Sequence, residues 1–386
     1  MTRKIYSLRE VAPPIPANLK QVGKVVWQLN LDQIEPHSGT LLNKEFVASG
    51  DVGNSTNAFD EGNVLYSKLR PYLNKVYLPN DVGFCTSELV PMRPNLNLVT
   101  REYLAAYLRS PFFLRWVNQQ VDGAKMPRVS MKVFWDHEIS LPSLVQQERI
   151  TTLLAKTSSL RRKRQEATHL VDSLLRAAFF QSFGDADSNR RAWPTVRLEE
   201  IALQVTDGEH QTPVRSSAGI YLLSARNIQN GYLALQDVDY VPQEEFDRIR
   251  RRCEPMRGDI LISCSGSIGR VTQVKTDSPL ALVRSVALVR PNTKVVRSCY
   301  LEYLLRSQPM QRRMVAASKS SAQANLFQGP IRALPVMLPP IEYQVQFEQI
   351  VSRANAISEK FAVSAGEVKS LSESLYEKFF RLDHAI

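Results

Sequence analysis

The side chains best suited to chemistry are those that grip phosphate and touch base edges. Ser67, Lys68, Arg70, Tyr72, Asn74 and Lys75 put hydroxyl, cationic, aromatic and amide groups into nine consecutive positions, a mixture that serves both backbone positioning and base reading; a solvated strand edge is the alternative. Lys125-Met-Pro-Arg128, followed by Ser130, is a basic loop just before a strand and a natural clamp. Thr206-Asp-Gly-Glu-His-Gln-Thr-Pro213 holds His210, Gln211 and Thr212, of which Gln can pair twice with adenine; the same stretch also reads as an Asp-Gly turn with a solvated His. Arg215, Arg226, Asn227, Ser265, Ser267, Arg270, Lys319, Gln323 and Asn325 complete the candidates. Arg248 to Arg252 holds four arginines in five positions, either a phosphate-facing patch or a solvated helix face.

Catalytic constellations are missing. There is no G-x-x-x-x-G-K-[ST] phosphate cradle and no Asp/Asn-Pro-Pro-Tyr run. Leu338-Pro-Pro-Ile341 lacks the polar group that would hold an exocyclic amine. The five histidines form no H-E-x-x-H, and Gly266-Ser-Ile-Gly269 reads as a tight turn. Cys85, Cys253, Cys264 and Cys299 are far apart with no C-x-x-C, so neither a disulfide framework nor a zinc site is expected. The expectation is a binding protein without catalytic residues, metal or cofactor of its own. Its 386 residues carry a net charge of +11, which favours a polyanionic partner. The excess is +3 over residues 1–145, +3 over 146–185, +6 over 186–345 and −1 over 346–386. No apolar run approaches the ~18–20 residues of a membrane span, and the first ten residues are too polar for a signal peptide. A cytoplasmic location is expected, with no membrane partner.

The elements that position these residues occur twice. Tyr6-Ser-Leu-Arg-Glu-Val-Ala12 resembles Val196-Arg-Leu-Glu-Glu-Ile-Ala202, and Glu61-Gly-Asn-Val-Leu-Tyr-Ser67 resembles Arg257-Gly-Asp-Ile-Leu-Ile-Ser263. Arg93-Pro-Asn95, Leu108-Arg-Ser110, Leu141-Pro142, Gln147 and Phe179-Phe180 recur as Arg290-Pro-Asn292, Leu305-Arg-Ser307, Leu338-Pro339, Gln344 and Phe379-Phe380. Matches in one order at a nearly constant offset mark a tandem duplication. Each half opens with a block of short β-type runs, then a helix (101–120 and 298–317), and closes at a proline-containing strand end.

A long proline-free helix follows each block. Stepping by three and four, the first gives Ile150, Leu153, Thr157, Leu160, Arg164, Ala167, Val171, Leu174 and Ala178. The second gives Phe347, Ile350, Ala354, Ile357, Phe361, Ser364, Val368, Leu371, Leu375 and Lys378. These are coiled-coil seams, about 50 Å long at ~1.5 Å per residue, and each needs a partner. The fold class is therefore α+β: two globular α/β domains (1–145 and 186–345) separated by two long antiparallel coiled-coil helices (146–185 and 346–382) in a pseudo-two-fold tandem repeat. Arg161-Arg-Lys-Arg164 interrupts the first seam; it either packs its stems over the partner helix or faces an acidic partner or DNA.

These landmarks resemble the specificity subunit of type I restriction–modification systems. Glu61 to Lys75 is similar to the family's G-D-I-L-x-S-K-L-R-P-Y-L-N-K stretch, and Thr86 to Pro94 to the segment after it. Arg257 to Arg270 resembles the alternative form, G-D-I-L-x-S-x-S-G-S-I-G-K. Leu141 to Ile150 and Leu338 to Phe347 resemble its L-P-P-L-x-E-Q entry into a helix. The resemblance implies that each block reads one half of a split, asymmetric double-stranded DNA target. It implies that the helices set the gap and dock two methyltransferase (modification) subunits, with restriction subunits completing the nuclease. S-adenosylmethionine and ATP/Mg are then expected on those partners and not on this chain. A related adaptor in a methylation-only or phage-defence complex without a nuclease is the second reading.

Overall fold

The computed structural model describes residues 4–19, 23–53, 55–123, 125–318 and 324–380. The chain divides into two compact units, Met1–Glu166 with Ala362–Ile386, and Ala167–Phe361. Both long helices therefore contribute a stretch to each unit.

In the first unit a four-stranded sheet orders Glu45–Ala48, Val25–Leu29, Gly83–Thr86 and Thr56–Phe59, and a three-stranded sheet orders Val76–Tyr77, Val64–Ser67 and Leu89–Met92. In the second, Ala202–Asp207, Val286–Pro291, Ile260–Ser263 and Val271–Gln273 form one sheet, and Asp239–Val241, Ile220–Leu223 and Leu280–Leu282 another. The duplication survives at the level of register. Val64 faces Met92 as Ile260 faces Val289, Tyr6 faces Ile139 as Val196 faces Val336, and a parallel pair sets Leu29 against Cys85 as Leu223 against Leu282.

Each single helix expected after the sheets is two. They run Arg101–Arg109 and Pro111–Val117, then Ser298–Arg306 and Gln308–Ser318. In the first unit the break is chemical. Pro111 disfavours helical backbone at Ser110, and the Ser110 hydroxyl caps the new helix by accepting from the Phe113 N–H at 3.1 Å.

The repeated sequence signatures turn out to be polar struts. Gln147 is fully buried; its Oε1 accepts from the Thr100 N–H at 2.9 Å, and its Nε2 donates to Leu98 O at 2.8 Å and Pro142 O at 3.0 Å. Gln344, equally buried, accepts from the Arg297 N–H at 2.8 Å and donates to Pro339 O at 2.8 Å and Val295 O at 3.5 Å. One amide thus ties the start of a long helix to the start of the helix after the sheets, in both halves. Arg93 and Arg290 are the second strut. Arg93 meets Asp60 through two bonds of 2.8 and 3.0 Å, and Arg290 meets Asp259 through bonds of 3.0 and 2.8 Å.

The long helices run Leu144–Phe183 and Ile341–Phe380, each about 60 Å at ~1.5 Å per residue. In the first unit Ile150 and Leu154 share a core with Leu375, Phe379 and Phe380; in the second Val171, Leu175, Phe179 and Phe183 share one with Phe347, Val351 and Ala354. Part of each expected seam is displaced by one residue, Leu153 and Leu174 giving way to Leu154 and Leu175, and Ile350, Ile357 and Leu371 to Val351, Ser358 and Ser372. Covered positions include 150, 154, 157, 164, 167, 171, 175, 178 and 179 on the first helix, and 347, 351, 354, 358, 361, 364, 365, 368, 372, 375, 379 and 380 on the second. Leu153, Leu160, Leu174, Ile350, Ile357 and Leu371 are instead at least 44% exposed. Adjacent apolar pairs such as Leu153-Leu154, Leu174-Leu175 and Ile350-Val351 satisfy either phase of the heptad, so periodicity alone does not choose between them. The paired phenylalanines shift likewise: Phe179 is buried and Phe180 exposed, whereas Phe380, not Phe379, is the fully buried member of the second pair.

Candidate nucleic-acid interface

The first unit brings two separate sequence clusters onto one edge. Leu69 forms an isolated bridge with Arg128. The Arg70 N–H donates to Pro127 O at 2.8 Å, and the Val129 N–H to Lys68 O at 3.0 Å. Arg70, Tyr72, Lys125 and Arg128 are exposed here, with Lys68 and Ser130 half-buried beside them. Arg128 is already committed to Glu88, with bonds of 3.1 Å from Nε and 2.9 Å from Nη2 to the same carboxylate oxygen. Arg70 and Lys125 carry no ion pair among the described residues, so they supply the positive potential of this edge.

Three of the candidates serve the fold instead. Ser67 is buried and its hydroxyl donates to Leu69 O at 2.8 Å. Asn74 is buried in a left-handed turn (φ 50) and its amide donates to Arg109 O at 3.0 Å. Lys75 donates to Leu31 O at 2.6 Å, and partial burial draws its ammonium below the usual lysine range despite the opposing field of Asp32. The cluster mixes exposed polar groups with the pins of the turn that presents them, and composition does not separate the two.

The second unit repeats the edge with different side chains. Ser265 forms an isolated bridge with Asn325, and the Leu326 N–H donates to Cys264 O at 2.8 Å. Gly266 (φ 69) takes the left-handed position that Arg70 (φ 49) holds in the first unit. Ser263 pins the loop by accepting from the Arg270 N–H at 2.9 Å and donating to Ser267 O. Ser267 is exposed; Ser265, Arg270 and Asn325 are half-buried. Lys319 and Gln323 lie outside the described residues.

The loop after Asp207 presents His210, Gln211 and Thr212, all exposed. It is not a plain solvated turn. His210 Nε2 lies 2.9 Å from Asp207 Oδ2, and the Gln211 N–H donates to Glu209 Oε1 at 2.7 Å. A Cβ at Gly208 would stand 2.4 Å from the carbonyl of Leu282, so the loop backbone is pressed onto the sheet edge where only glycine fits. Burial raises the Asp207 carboxyl, but hydrogen bonds from Arg252 and His210 outweigh it and hold the group below the usual carboxylate value.

The remaining candidates are partly withdrawn. Arg226 pairs with Asp239 at 3.0 Å and Arg215 with the same carboxylate at 3.5 Å. Asn227 is buried, accepting from the Ser224 N–H at 2.9 Å and donating to Ala234 O at 3.0 Å, so it is no base reader. The Arg248–Arg252 run is solvated at Arg250, Arg251 and Arg252, but three of its four arginines are held in ion pairs. Arg248 binds Glu209 and Glu245, Arg250 pairs with Asp247 and Glu254, and Arg252 binds Asp207. Arg257, Arg290 and Arg313 are also in ion pairs, so these arginines are locally balanced and the net +6 of this block rests on its other basic side chains.

Sequence reasoning missed Glu88 and Gln328 as members of these edges, and did not single out Asp207 or Arg252 within the stretches that hold them. Asp207 and Gln328 are 121 positions apart, and no local pattern links them. The four cysteines are buried, their thiols pushed up to about 12 by desolvation, and none is poised as a nucleophile. Among the described residues no group of His, Cys, Asp and Glu is arranged to hold a metal ion, and no helix is long and apolar enough to cross a membrane.

Residues 251–360 match the family described as the type I restriction modification DNA specificity domain. The chain is 23% identical over 305 residues to the type I restriction enzyme EcoBI specificity subunit of Escherichia coli, covering 71% of this chain and 64% of that one. It is 21% identical over 312 residues to the EcoKI specificity subunit of E. coli K12, covering 75% and 67%. The aligned part thus spans about two thirds of these relatives. Among solved structures, a chain from work on complex assembly and conformational transition of the type I R-M system matches at TM-score 0.62 with 18% identity, covering 97% of each. The type I restriction-modification S subunit from M. genitalium matches at TM-score 0.60 with 11% identity, covering 98% and 96%.

The duplicated fold resembles that of a type I S subunit, and residues 251–360 of its second unit match the specificity domain. The chain is thus similar to type I restriction enzyme specificity subunits over about three quarters of its length.

Proposed function

We propose that the chain is the non-catalytic subunit that gives a type I restriction–modification complex its DNA sequence specificity, each unit reading one half of a bipartite target. The observation that carries this is the repeated edge. The bridge of Leu69 to Arg128 has its counterpart in the bridge of Ser265 to Asn325, yet the side chains presented differ. One scaffold with two sets of contact groups is suited to two half-sites of unlike base content. Phosphate positioning falls to Arg70 and Lys125 in the first unit, and base reading in the second to His210, Gln211, Thr212, Ser267 and Asn325.

The long helices are the spacer in this reading. Their antiparallel pairing is supported within each unit, where the start of one helix shares a core with the end of the other. The exposed apolar residues at seven-residue spacing, Leu153, Leu160 and Leu174 on one helix and Ile350, Ile357 and Leu371 on the other, suit docking of two modification subunits. A helix with a second apolar stripe is built for more than one neighbour. S-adenosylmethionine, and ATP with Mg, belong to those partners and to the restriction subunits.

Co-expression with a modification subunit, followed by mapping of methylated adenines, tests this. The expected motif is split and asymmetric. A continuous motif, or methylation by this chain alone, refutes the reading.

A further inference from the structure

The second unit contains a lattice of bonds beneath its reading loop. Asp207 is its centre. Its Oδ1 accepts from Arg252 Nη2 at 2.7 Å and from Gln328 Nε2 at 2.7 Å, and its Oδ2 lies 2.9 Å from His210 Nε2. Arg252 also donates from Nε to Gly208 O at 3.3 Å. Arg248, one helical turn earlier, bonds Glu209 at 3.1 Å and Gln211 Oε1 at 3.3 Å, and holds Glu245, which itself accepts from the Val214 N–H at 3.1 Å. Gln328 begins the short helix Gln328–Arg332, directly after Asn325 and Phe327. One carboxylate therefore joins the His210–Thr212 loop to the segment that bridges Ser265.

We infer that Asp207, Arg252 and Gln328 are positioning residues for target discrimination by the second unit, fixing the His210–Thr212 loop and the Asn325 segment in one relative register. This rests on the DNA-reading function proposed above. The physical argument concerns preorganisation. A base pair is discriminated by donors and acceptors held to within a fraction of an ångström, so a loop free to shift accepts several bases in place of one. Phosphate contacts are point-like and tolerate the same freedom. Arg252 is 42% exposed, and ion pairs so exposed add little to stability. Its removal should therefore cost selectivity and spare folding.

The test compares full-length wild type, Arg252→Gln, Asp207→Asn and the control Arg251→Gln, each used to enrich ligands from a library of randomised duplex DNA. The two lattice variants are expected to lose base preference in one half of the enriched motif, by about tenfold or more, with the other half unchanged. Their affinity for unselected duplex should stay within about twofold of wild type, and the thermal midpoint of Arg252→Gln within about 2 °C. Arg251→Gln should match wild type throughout. An unchanged motif, equal loss in both halves, or a large drop in thermal midpoint with uniformly weaker binding overturns the inference. If wild type enriches no motif at all, the DNA-reading function itself is refuted, and the inference falls with it.

Discussion

Replacing Gln147 by alanine tests whether the repeated glutamine is a strut or a coincidence of sequence. The side chain is fully buried and makes three bonds of 2.8–3.0 Å, one accepted and two donated. Truncation leaves the Thr100 N–H without its acceptor at the N-terminus of Arg101–Arg109, and two carbonyls without their donor. An orphaned buried group costs about 1–3 kcal/mol, and the space left by the amide adds to that. A total of about 3 kcal/mol is expected, which is a ~100-fold faster amide exchange over residues 100–109 at ~1.4 kcal/mol per decade. Gln344→Ala should do the same to residues 297–306 and leave 100–109 untouched. Gln147→Glu sharpens the point. Its carboxylate can still accept from Thr100 but faces the carbonyls of Leu98 and Pro142, so its folded pKa must rise above the unfolded ~4.3. The sign follows: the variant is least impaired below about pH 4 and loses stability as pH rises through its folded pKa. Hydrogen exchange read by mass spectrometry, with urea unfolding at pH 4 and pH 7, decides it. Less than about tenfold acceleration in Gln147→Ala, or a Gln147→Glu variant indifferent to pH, would refute the strut.

Two further outcomes are expected. Leu154→Ala and Leu175→Ala should each lose about 2–5 kcal/mol in urea unfolding, whereas Leu160→Asp and Leu174→Asp, on the exposed stripe, should unfold like wild type yet fail to co-purify with a modification subunit; a reversed pattern would mean that the buried phase of the heptad is the other one. Asp207 has a carboxyl held below its ordinary 3.8, so the stability it adds is complete above that value and is lost as pH falls through its folded pKa. Acid unfolding of Asp207→Asn followed at Trp193 should accordingly show a smaller loss below pH 3.8 than wild type, and equal losses would remove Asp207 from the ledger of acid-sensitive groups.

The duplication, the division into sheet-bearing blocks and long helices, and the identity of the repeated residues can all be read along the chain. Such features depend on local pattern, on turn residues and on order along the chain, and these survive without coordinates. Even the struts were legible as recurrences: Gln147 with Gln344, and Arg93 with Arg290. Only the tertiary structure decided what each recurrence is for. It decided which leucine of an adjacent pair is covered, because Leu153 and Leu154 satisfy the heptad equally well and only the neighbouring core distinguishes them. It also decided which polar groups of a candidate cluster face outward. Arg70 and Lys75 are alike in sequence, but a left-handed turn exposes one, while a carbonyl 44 residues away captures the other. The arginine run shows the same reason most clearly. Charge is a property of the sequence, but potential depends on where the carboxylates fall, and Asp207, Glu209 and Glu245 are brought to Arg248 and Arg252 only by the fold.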